Sequence, residues 1–329
     1  MKRTRIVSLM LVALVLAPAL ALAQSQNPAV SQAEAPARVE APAQSSTTQA
    51  PTQATTQDGA AEEPVVLVGA GDIANCEVGD GHMATARVLD DIPGTVFTMG
   101  DHAYPKGAKE SFDECYNLSW GRHKARTRPS VGNHDLKTQN GKPYYDYFGA
   151  AAGPRGLGYY SYNLGAWHII SLNSSIEIDG RSKQIRWLRK DLAENPSTCT
   201  LAYWHIPLFS SGGHGNHPEL LLDTWRILHE AGVDVVVNGH DHDYERFAPQ
   251  DPKGKPDPER GIRQFVVGTG GGGVYAFEKI AKNSEVRQNK SYGVIKFTLH
   301  PDSYDWEFVT AKGEPFEDKG TGQCVPLRP

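Results

Sequence analysis

The chain has 329 residues, of which 39 % are hydrophobic and 22 % are charged, so it is long enough to bury a large hydrophobic core. Its 33 basic and 38 acidic side chains give a formal net charge of −5. Because there is no basic excess, the composition argues against nucleic acid or an acidic membrane surface as a general partner. Four cysteines are too few for a fold that rests on disulfides alone.

The N-terminus has the pattern of an export signal. Three basic side chains lie within the first five residues, an apolar run follows, and residues 21–23 (Ala-Leu-Ala) offer a small-residue cleavage site. We predict a cleaved signal peptide over residues 1–23 and therefore a secreted or periplasmic protein. An uncleaved membrane anchor is the alternative, because the run approaches the roughly 18 residues that can span a bilayer.

Residues 24–63 consist mainly of Ala, Gln, Pro, Ser and Thr. With so few large apolar side chains, this segment cannot bury enough surface to offset its ordering entropy, so we predict a disordered tether. Residues 64–329 are predicted to form one domain. In an oxidising compartment its cysteines should pair, and four cysteines allow three pairings. We favour Cys76–Cys115 with Cys199–Cys324, since the latter would fasten the C-terminal tail to the body; four free, buried thiols are the alternative.

The first predicted core elements form a β-α-β unit. Residues 65–70 are continuously apolar, which is typical of a strand buried on both faces. Residues 83–92 have helical spacing and stop at a Pro-Gly pair, and residues 95–99 are a second β-rich run. This order predicts a parallel sheet at the start of the domain.

The later elements alternate at first and then become mostly strands. A hairpin is predicted around Gly165 within residues 159–173, and the elements that follow are a helix over 182–194, a strand over 200–204, a helix over 220–231, and strands over 233–237, 262–268, 292–299 and 303–310. Few helices separate the last strands, which indicates an antiparallel finish. The predicted fold class is α/β, with two packed mixed β-sheets flanked by helices.

Polar residues follow the predicted strands in five short loops: Gly71-Asp72, Gly100-Asp101, Gly132-Asn133-His134-Asp135, Trp204-His205 and Gly239-His240-Asp241-His242. One such loop is usually only a turn or a cap. Five in chain order indicate a shared site, because the carboxyl ends of strands line the ligand crevice of an open α/β sheet. Two carboxylates, an amide oxygen and three imidazoles suit iron, zinc or manganese, and their number fits two metals that share a carboxylate.

The order GD…GDxxY…GNH[DE]…H…GHxH resembles that of the calcineurin-like metallophosphoesterases, and within them the small bacterial type of the purple acid phosphatase-like branch. The match runs from residue 65 to about residue 308 and implies a four-layer αββα sandwich. It further implies that Asp101 bridges two metals. The ligands of one metal would then be Asp72, Tyr104 and His242, and those of the other Asn133, His205 and His240. The resemblance makes His134 a catalytic group that binds phosphate or protonates the leaving group, and His214 a second histidine facing the substrate.

Two departures from the wider family stand out. Many relatives carry a histidine ligand at the position of Ala74, and in the purple branch a tyrosine at the position of Tyr104 takes its place. Because a phenolate is a hard anionic ligand, we expect ferric iron in the Tyr104 site, with zinc, manganese or ferrous iron in the other. His102 stands where close relatives often have Asn, and it has no assigned role.

The expected function is therefore that of an exported binuclear-metal phosphatase, which hydrolyses phosphomonoesters by attack of a metal-bound hydroxide. One alternative is a phosphodiesterase acting on nucleotide, lipid or cell-wall phosphodiesters at the same metal centre, distinguished by the loops at 105–130 and 207–218. Another is a binding protein that keeps the fold without turnover. The expected partner is a phosphate ester, with no nucleic acid beyond a possible substrate and no stable membrane partner; the oligomeric state is left open.

Residues 268–273 (GTGGGG) lack the Lys-Ser/Thr of a phosphate-binding loop, so a tight turn near the rim of the site is expected.

Overall fold

The computed structural model describes residues 63–215 and 217–325. The predicted signal peptide and all but the last residue of the predicted tether lie outside the described residues. Within the described ranges, no helix has the length and apolar character needed to cross a membrane.

Thirteen strands and five α-helical segments make up the regular structure of the described residues. The strands are β1 (Val65–Gly69), β2 (Thr95–Met99), β3 (Thr127–Ser130), β4 (Tyr160–Leu164), β5 (Trp167–Ser171), β6 (Cys199–Tyr203), β7 (Val235–Asn238), β8 (Tyr244–Phe247), β9 (Arg263–Val267), β10 (Ser284–Gln288), β11 (Ser291–Leu299), β12 (Ser303–Gly313) and β13 (Lys319–Gln323). The helices are α1 (Gly81–Asp91), α2 (Lys109–Ser111), α3 (Lys142–Phe148), α4 (Lys183–Glu194) and α5 (Pro218–Glu230). Shorter π- and 3₁₀-helical turns lie at Phe112–Tyr116, Trp120–Arg126, Gln139–Gly141 and Gly149–Ala152.

The strands form two mixed sheets, as predicted. The first has the order β13-β12-β11-β1-β2-β3, with β1, β2 and β3 parallel. The second has the order β10-β8-β9-β7-β6-β5-β4, with β5, β6, β7 and β9 parallel. The antiparallel finish holds for β11 with β12 and for β9 with β8, whereas β9 runs parallel to β7 on its other side.

The two sheets pack face to face through aromatic side chains. Phe97 on β2 meets Tyr203 on β6 edge-on at 5.4 Å between ring centroids, and Phe265 on β9 meets Phe297 on β11 at 5.3 Å. Helix α1 packs on β11 and β12, while α4 and α5 cover the second sheet with a separate apolar cluster. Helices therefore flank a pair of sheets, which is the predicted α/β sandwich.

Both favoured disulfides are present, Cys76–Cys115 and Cys199–Cys324, so the predicted pairing is confirmed. The second joins the start of β6 to the C-terminal segment, and Asp234 accepts a hydrogen bond from the backbone N–H of Val325 beside it. His82 lies 3.5 Å from the sulfur of Cys76, but both sulfurs near it belong to the disulfide and are not available as metal ligands.

Candidate metal centre

The predicted site residues lie where parallel strands of both sheets end. Three loops of the first sheet contribute, those after β1, β2 and β3, and two of the second sheet, those after β6 and β7. Carboxyl ends of parallel strands gather at one edge of a sheet, and packing two sheets brings two such edges together. The side chains that meet there are Asp72, Asp101, Tyr104, Asn133, His205, His240 and His242.

The first group in this cluster is arranged around the phenol of Tyr104. Its oxygen lies 2.8 Å from Oδ1 of Asp72, 3.1 Å from Oδ2 of Asp101 and 2.9 Å from Nε2 of His242. A phenol carries one proton and can satisfy only one of these neighbours. Four Lewis-basic atoms thus converge with too few protons between them, which is the arrangement that suits a bound cation.

The second group is arranged around Nε2 of His205. This atom lies 2.9 Å from Oδ1 of Asn133, 3.1 Å from Nδ1 of His240 and 3.4 Å from Oδ2 of Asp101. The Nδ1–H of His205 donates to the carbonyl of Met99 at 2.7 Å, which orients Nε2 toward the cluster. The same oxygen of Asp101 touches both groups, so Asp101 lies between them.

Three of the converging residues have a backbone conformation that non-glycine residues rarely adopt. The φ angles are 58° for Asp72, 53° for Asp101 and 74° for His240. Such a left-handed conformation costs about 1–2 kcal/mol per residue and persists only where surrounding contacts hold it. Here the carboxylate of Asp72 accepts the backbone N–H of His240 at 2.7 Å, which ties the loops of the two sheets together.

Steric crowding explains why the loop motifs contain glycine. A Cβ on Gly132 would lie 2.1 Å from Oδ1 of Asp101, and one on Gly239 would lie 2.6 Å from Oδ2 of Asp72. Neither carboxylate can retreat, because both are buried. Only glycine therefore lets the loop after β3 approach Asp101, and the loop after β7 approach Asp72, this closely.

Burial and mutual charge shift the proton affinities of the cluster. Burial opposes ionisation of Asp72 and Asp101, yet the facing charges of His242 and His205, respectively, hold the pKa of each carboxyl below its usual range. Against the effect of burial, Asp101 raises the pKa of His205 to about 10. Burial and the two carboxylates raise the pKa of the Tyr104 phenol well above its usual value.

The two adjacent imidazoles differ in charge. Burial, reinforced by the charge of His205, lowers the pKa of His240 to about 3. Of these two imidazoles, only His205 therefore supplies positive charge near neutral pH to a pair of carboxylates that are 0 % and 1 % exposed. Buried carboxylates need compensation, and the donor set of this cluster fits cations as the source of it.

The two predicted catalytic histidines lie at the rim of the cluster. His134 donates its backbone N–H to Oδ1 of Asp101 at 2.8 Å, and its Nε2 lies 3.9 Å from Oδ2 of the same residue. His214 faces the ring of His240 at 5.7 Å between centroids, and its backbone N–H donates to Asp241 at 2.9 Å. Asp135, adjacent to His134 in sequence, directs its carboxylate toward His102 instead of His134.

Two rim residues were not predicted. Nζ of Lys137 lies 2.9 Å from Nε2 of His134, so a cation stands beside this histidine. The ring of Tyr275 stacks on His242 at 4.1 Å and 12°, and its backbone N–H donates to the carbonyl of His242 at 3.0 Å. The three-residue spacing of Lys137 from His134 in a turn could have indicated the first, and the position of Tyr275 just after the 268–273 glycine run could have indicated the second.

The glycine run at 268–273 lies against the cluster, at the rim where it was expected. Gly272 donates its backbone N–H to the carbonyl of Asp72 at 2.7 Å, and Gly270 donates to the carbonyl of Gly71 at 2.9 Å. A Cβ on Gly272 would lie 2.8 Å from the ring of Tyr104. The run therefore forms a close-fitting wall of the site.

A model of the calcineurin-like phosphoesterase family matches residues 50–244, which is more than half of the chain. The chain belongs to this family. Its curated relatives include purple acid phosphatase 15 of Arabidopsis thaliana, 26 % identical over 49 % of this chain and 37 % of the relative, and purple acid phosphatase 21 of the same plant, 29 % identical over 63 % and 50 %. These relatives confirm the resemblance to the purple acid phosphatase branch. The chain spans half or less of their length.

Solved structures share the fold at low sequence identity. A purple acid phosphatase from yellow lupin (Lupinus luteus) seeds superposes with a TM-score of 0.63 at 19 % identity, covering 79 % of this chain and 54 % of that chain. GAP50, described as the anchor in the inner membrane complex of Plasmodium, superposes with a TM-score of 0.61 at 14 % identity, covering 81 % and 90 %. The same fold thus occurs in proteins described in different terms, and function must be argued from the site.

Proposed function

We propose that the protein is an exported binuclear-metal phosphatase that hydrolyses phosphomonoesters, with residues 64–329 as the catalytic domain. The observation that carries this proposal is the position of Asp101, one oxygen of which lies 3.1 Å from the phenol of Tyr104 and 3.4 Å from the imidazole of His205. A carboxylate between two groups of donor atoms is what two metals with a shared ligand require.

In the proposed assignment, Asp72, Tyr104 and His242 hold the first metal, Asn133, His205 and His240 hold the second, and Asp101 bridges them. The first site contains the phenol, and a phenolate favours ferric iron, whose charge would also lower the pKa of the phenol from its raised value. The second site offers an amide oxygen and two imidazoles, which suit zinc, manganese or ferrous iron.

When bound, the cations would neutralise the phosphoryl oxygens of the substrate and make water a stronger nucleophile near neutral pH. The chain's own residues would then orient the substrate and protonate its leaving group. His134 stands beside Asp101 and is the proposed acid for the leaving group. His214, with its side chain 56 % exposed, and Lys137 offer positive or hydrogen-bonding groups to phosphoryl oxygens at the rim.

The test compares p-nitrophenyl phosphate with bis-p-nitrophenyl phosphate, in the presence and absence of a chelator. A phosphomonoesterase prefers the first substrate, and the chelator abolishes turnover. Preference for the second substrate would instead indicate a phosphodiesterase that uses the same centre. No turnover of either substrate by metal-loaded protein would favour the binding-protein alternative and refute the proposal.

The metal assignment has its own measurement. Purified protein should contain at least one iron per chain and absorb in the visible through phenolate-to-iron charge transfer. Protein that is active without iron and without this absorption would refute the ferric assignment but leave the phosphatase proposal standing.

Export is supported by the two disulfides, which are favoured in oxidising compartments. N-terminal sequencing of protein secreted by a host cell tests it. A mature chain that begins at Gln24 is expected, whereas a retained Met1 in membrane fractions would support the anchor.

A further inference from the structure

A carboxylate outside the proposed ligand set joins two of the ligand loops. Asp135 is fully buried, and its Oδ2 accepts the backbone N–H of Asp101 at 3.0 Å and that of Gly132 at 2.9 Å. Its Oδ1 accepts the backbone N–H of His102 at 3.0 Å. One side chain therefore holds the loop after β2 against the loop after β3.

His102 completes the hydrogen bonding of this carboxylate. Its Nδ1 lies 2.8 Å from Oδ2 of Asp135, and its Nε2 lies 2.7 Å from the hydroxyl of Thr98 on β2. With both nitrogens engaged and the residue fully buried, the imidazole is fixed at its two polar ends. Four aromatic rings surround it at centroid distances of 4.8 to 6.4 Å: those of Phe112, Tyr116, Tyr144 and Phe148.

The two loops that Asp135 joins carry the proposed bridging ligand, Asp101, and a proposed ligand of the second metal, Asn133. Asp101 has its backbone N–H bound directly by Asp135 and keeps a φ of 53°. Asn133 directly follows Gly132, the second residue whose N–H Asp135 binds. A change of a few tenths of an ångström in either loop would alter the separation of the bridging oxygen from both groups of donors.

We propose that His102 and Asp135 form a positioning pair for the metal centre. They set the spacing between Asp101 and Asn133 without touching metal or substrate, and His102 keeps the Asp135 carboxylate in the orientation that binds both loops. This inference rests on the proposed function. It assigns a role to the histidine that the sequence left without one.

The structure offers a matched control in a second buried histidine–aspartate pair. Nε2 of His168 lies 2.8 Å from Oδ2 of Asp191, and its Nδ1 lies 2.9 Å from the side chain of Asn163. The two pairs have similar distances and burial, but His168 is on β5 and bonds to α4, away from the proposed ligands. Loss of His102 and loss of His168 should therefore lower the stability of the protein by comparable amounts, while only loss of His102 should affect the metal centre.

The experiment compares His102→Leu, His168→Leu and the wild type, all metal-loaded. It measures thermal unfolding, the rate of metal release to a chelator, the visible absorption maximum, and kcat and KM for p-nitrophenyl phosphate. We expect His102→Leu to release metal about 10- to 100-fold faster, to shift the absorption maximum, and to lower kcat with KM within about threefold. The His168→Leu protein should be less stable than the wild type, while its rate of metal release, its absorption maximum and its kinetic constants stay unchanged.

A conservative variant tests the mechanism. Asn can place an N–H near the position of Nδ1, so His102→Asn should restore most of the metal retention that His102→Leu loses. If His102→Leu does not fold, Asp135→Asn provides the same comparison, because it removes one acceptor from the backbone N–H groups.

The proposal is overturned if the folded variants release metal at the wild-type rate with an unshifted spectrum. It is also overturned if His168→Leu changes the centre as much as His102→Leu does. Wild-type protein that binds no metal would instead refute the proposed function, so the two failures are distinguishable.

Discussion

The buried carboxyl of Asp234 should make a contribution to the stability of the protein that falls as pH rises. Its side chain accepts the backbone N–H groups of Thr200 and Val325, and the residue is only 3 % exposed. Burial raises the pKa of this carboxyl from 3.8 to about 7, because the two hydrogen bonds offset the desolvation only in part. Between these values the unfolded chain has released the proton and the folded chain retains it. The contribution of Asp234 to the free energy of unfolding should therefore fall across this window by about 4 kcal/mol, at about 1.36 kcal/mol per pH unit.

The variant Asp234→Asn removes the titrating group and should remove this part of the pH dependence. We expect the unfolding free energy of the variant, minus that of the wild type, to increase by about 4 kcal/mol between about pH 4 and about pH 7.5. Urea unfolding followed by tryptophan fluorescence at each pH measures it. Asp223→Asn makes the same chemical change at an exposed side chain and corrects for the change in net charge. A difference that stays constant with pH, or that decreases, would contradict the raised pKa of Asp234.

Three further predictions concern the centre and the covalent links. His134→Ala should lower kcat by about 10²–10⁴-fold while far-ultraviolet circular dichroism stays unchanged, and turnover within threefold of wild type would contradict its role as the acid. Tyr104→Phe should abolish the visible absorption of the iron-loaded protein; a band that persists would mean that iron binds elsewhere. Replacing Cys199 and Cys324 by Ser opens a loop with a sequence separation of 125 and should cost about 5 kcal/mol of unfolding free energy by the loop-entropy relation, so a loss below about 1 kcal/mol would argue against a constraining role.

The elements that sequence predicted best are those whose local pattern decides their structure. Strand β1 was predicted from a continuous apolar run and β2 from a β-rich run. Helix α4 was predicted from helical spacing that begins after Ser182, whose side chain accepts the N–H of Ile185 as a cap. Strand β3 was not predicted, because it consists of Thr-Arg-Pro-Ser and lacks an apolar run. Proline is tolerated there since β3 is the edge strand of the first sheet, which is a property of the assembled sheet.

The predicted site residues were found in one place because motif order and strand ends are visible in the sequence. The contacts between side chains from different elements were not. Tyr275 stacks on His242 across the space between two loops. The carboxylate of Asp135 binds His102 and the loop after β2 instead of the neighbouring His134. Adjacent residues in a turn can point in different directions, so proximity in sequence did not predict which side chains contact each other.

The donor atoms of the cluster come from both sheets, so the cluster can form only after the two sheets have folded and packed together. The carboxylate of Asp72 accepts the N–H of His240 across a sequence separation of 168 residues, so neither group of donors exists until the two halves of the sandwich have docked. Under the proposed function, cations would bind only the assembled state and stabilise it by mass action, by about 2.7 kcal/mol when the free ion is at 100 times its dissociation constant. Iron or zinc supply during biosynthesis would then determine how much of the chain survives quality control, so that starvation for trace elements lowers the yield of folded protein as well as its activity.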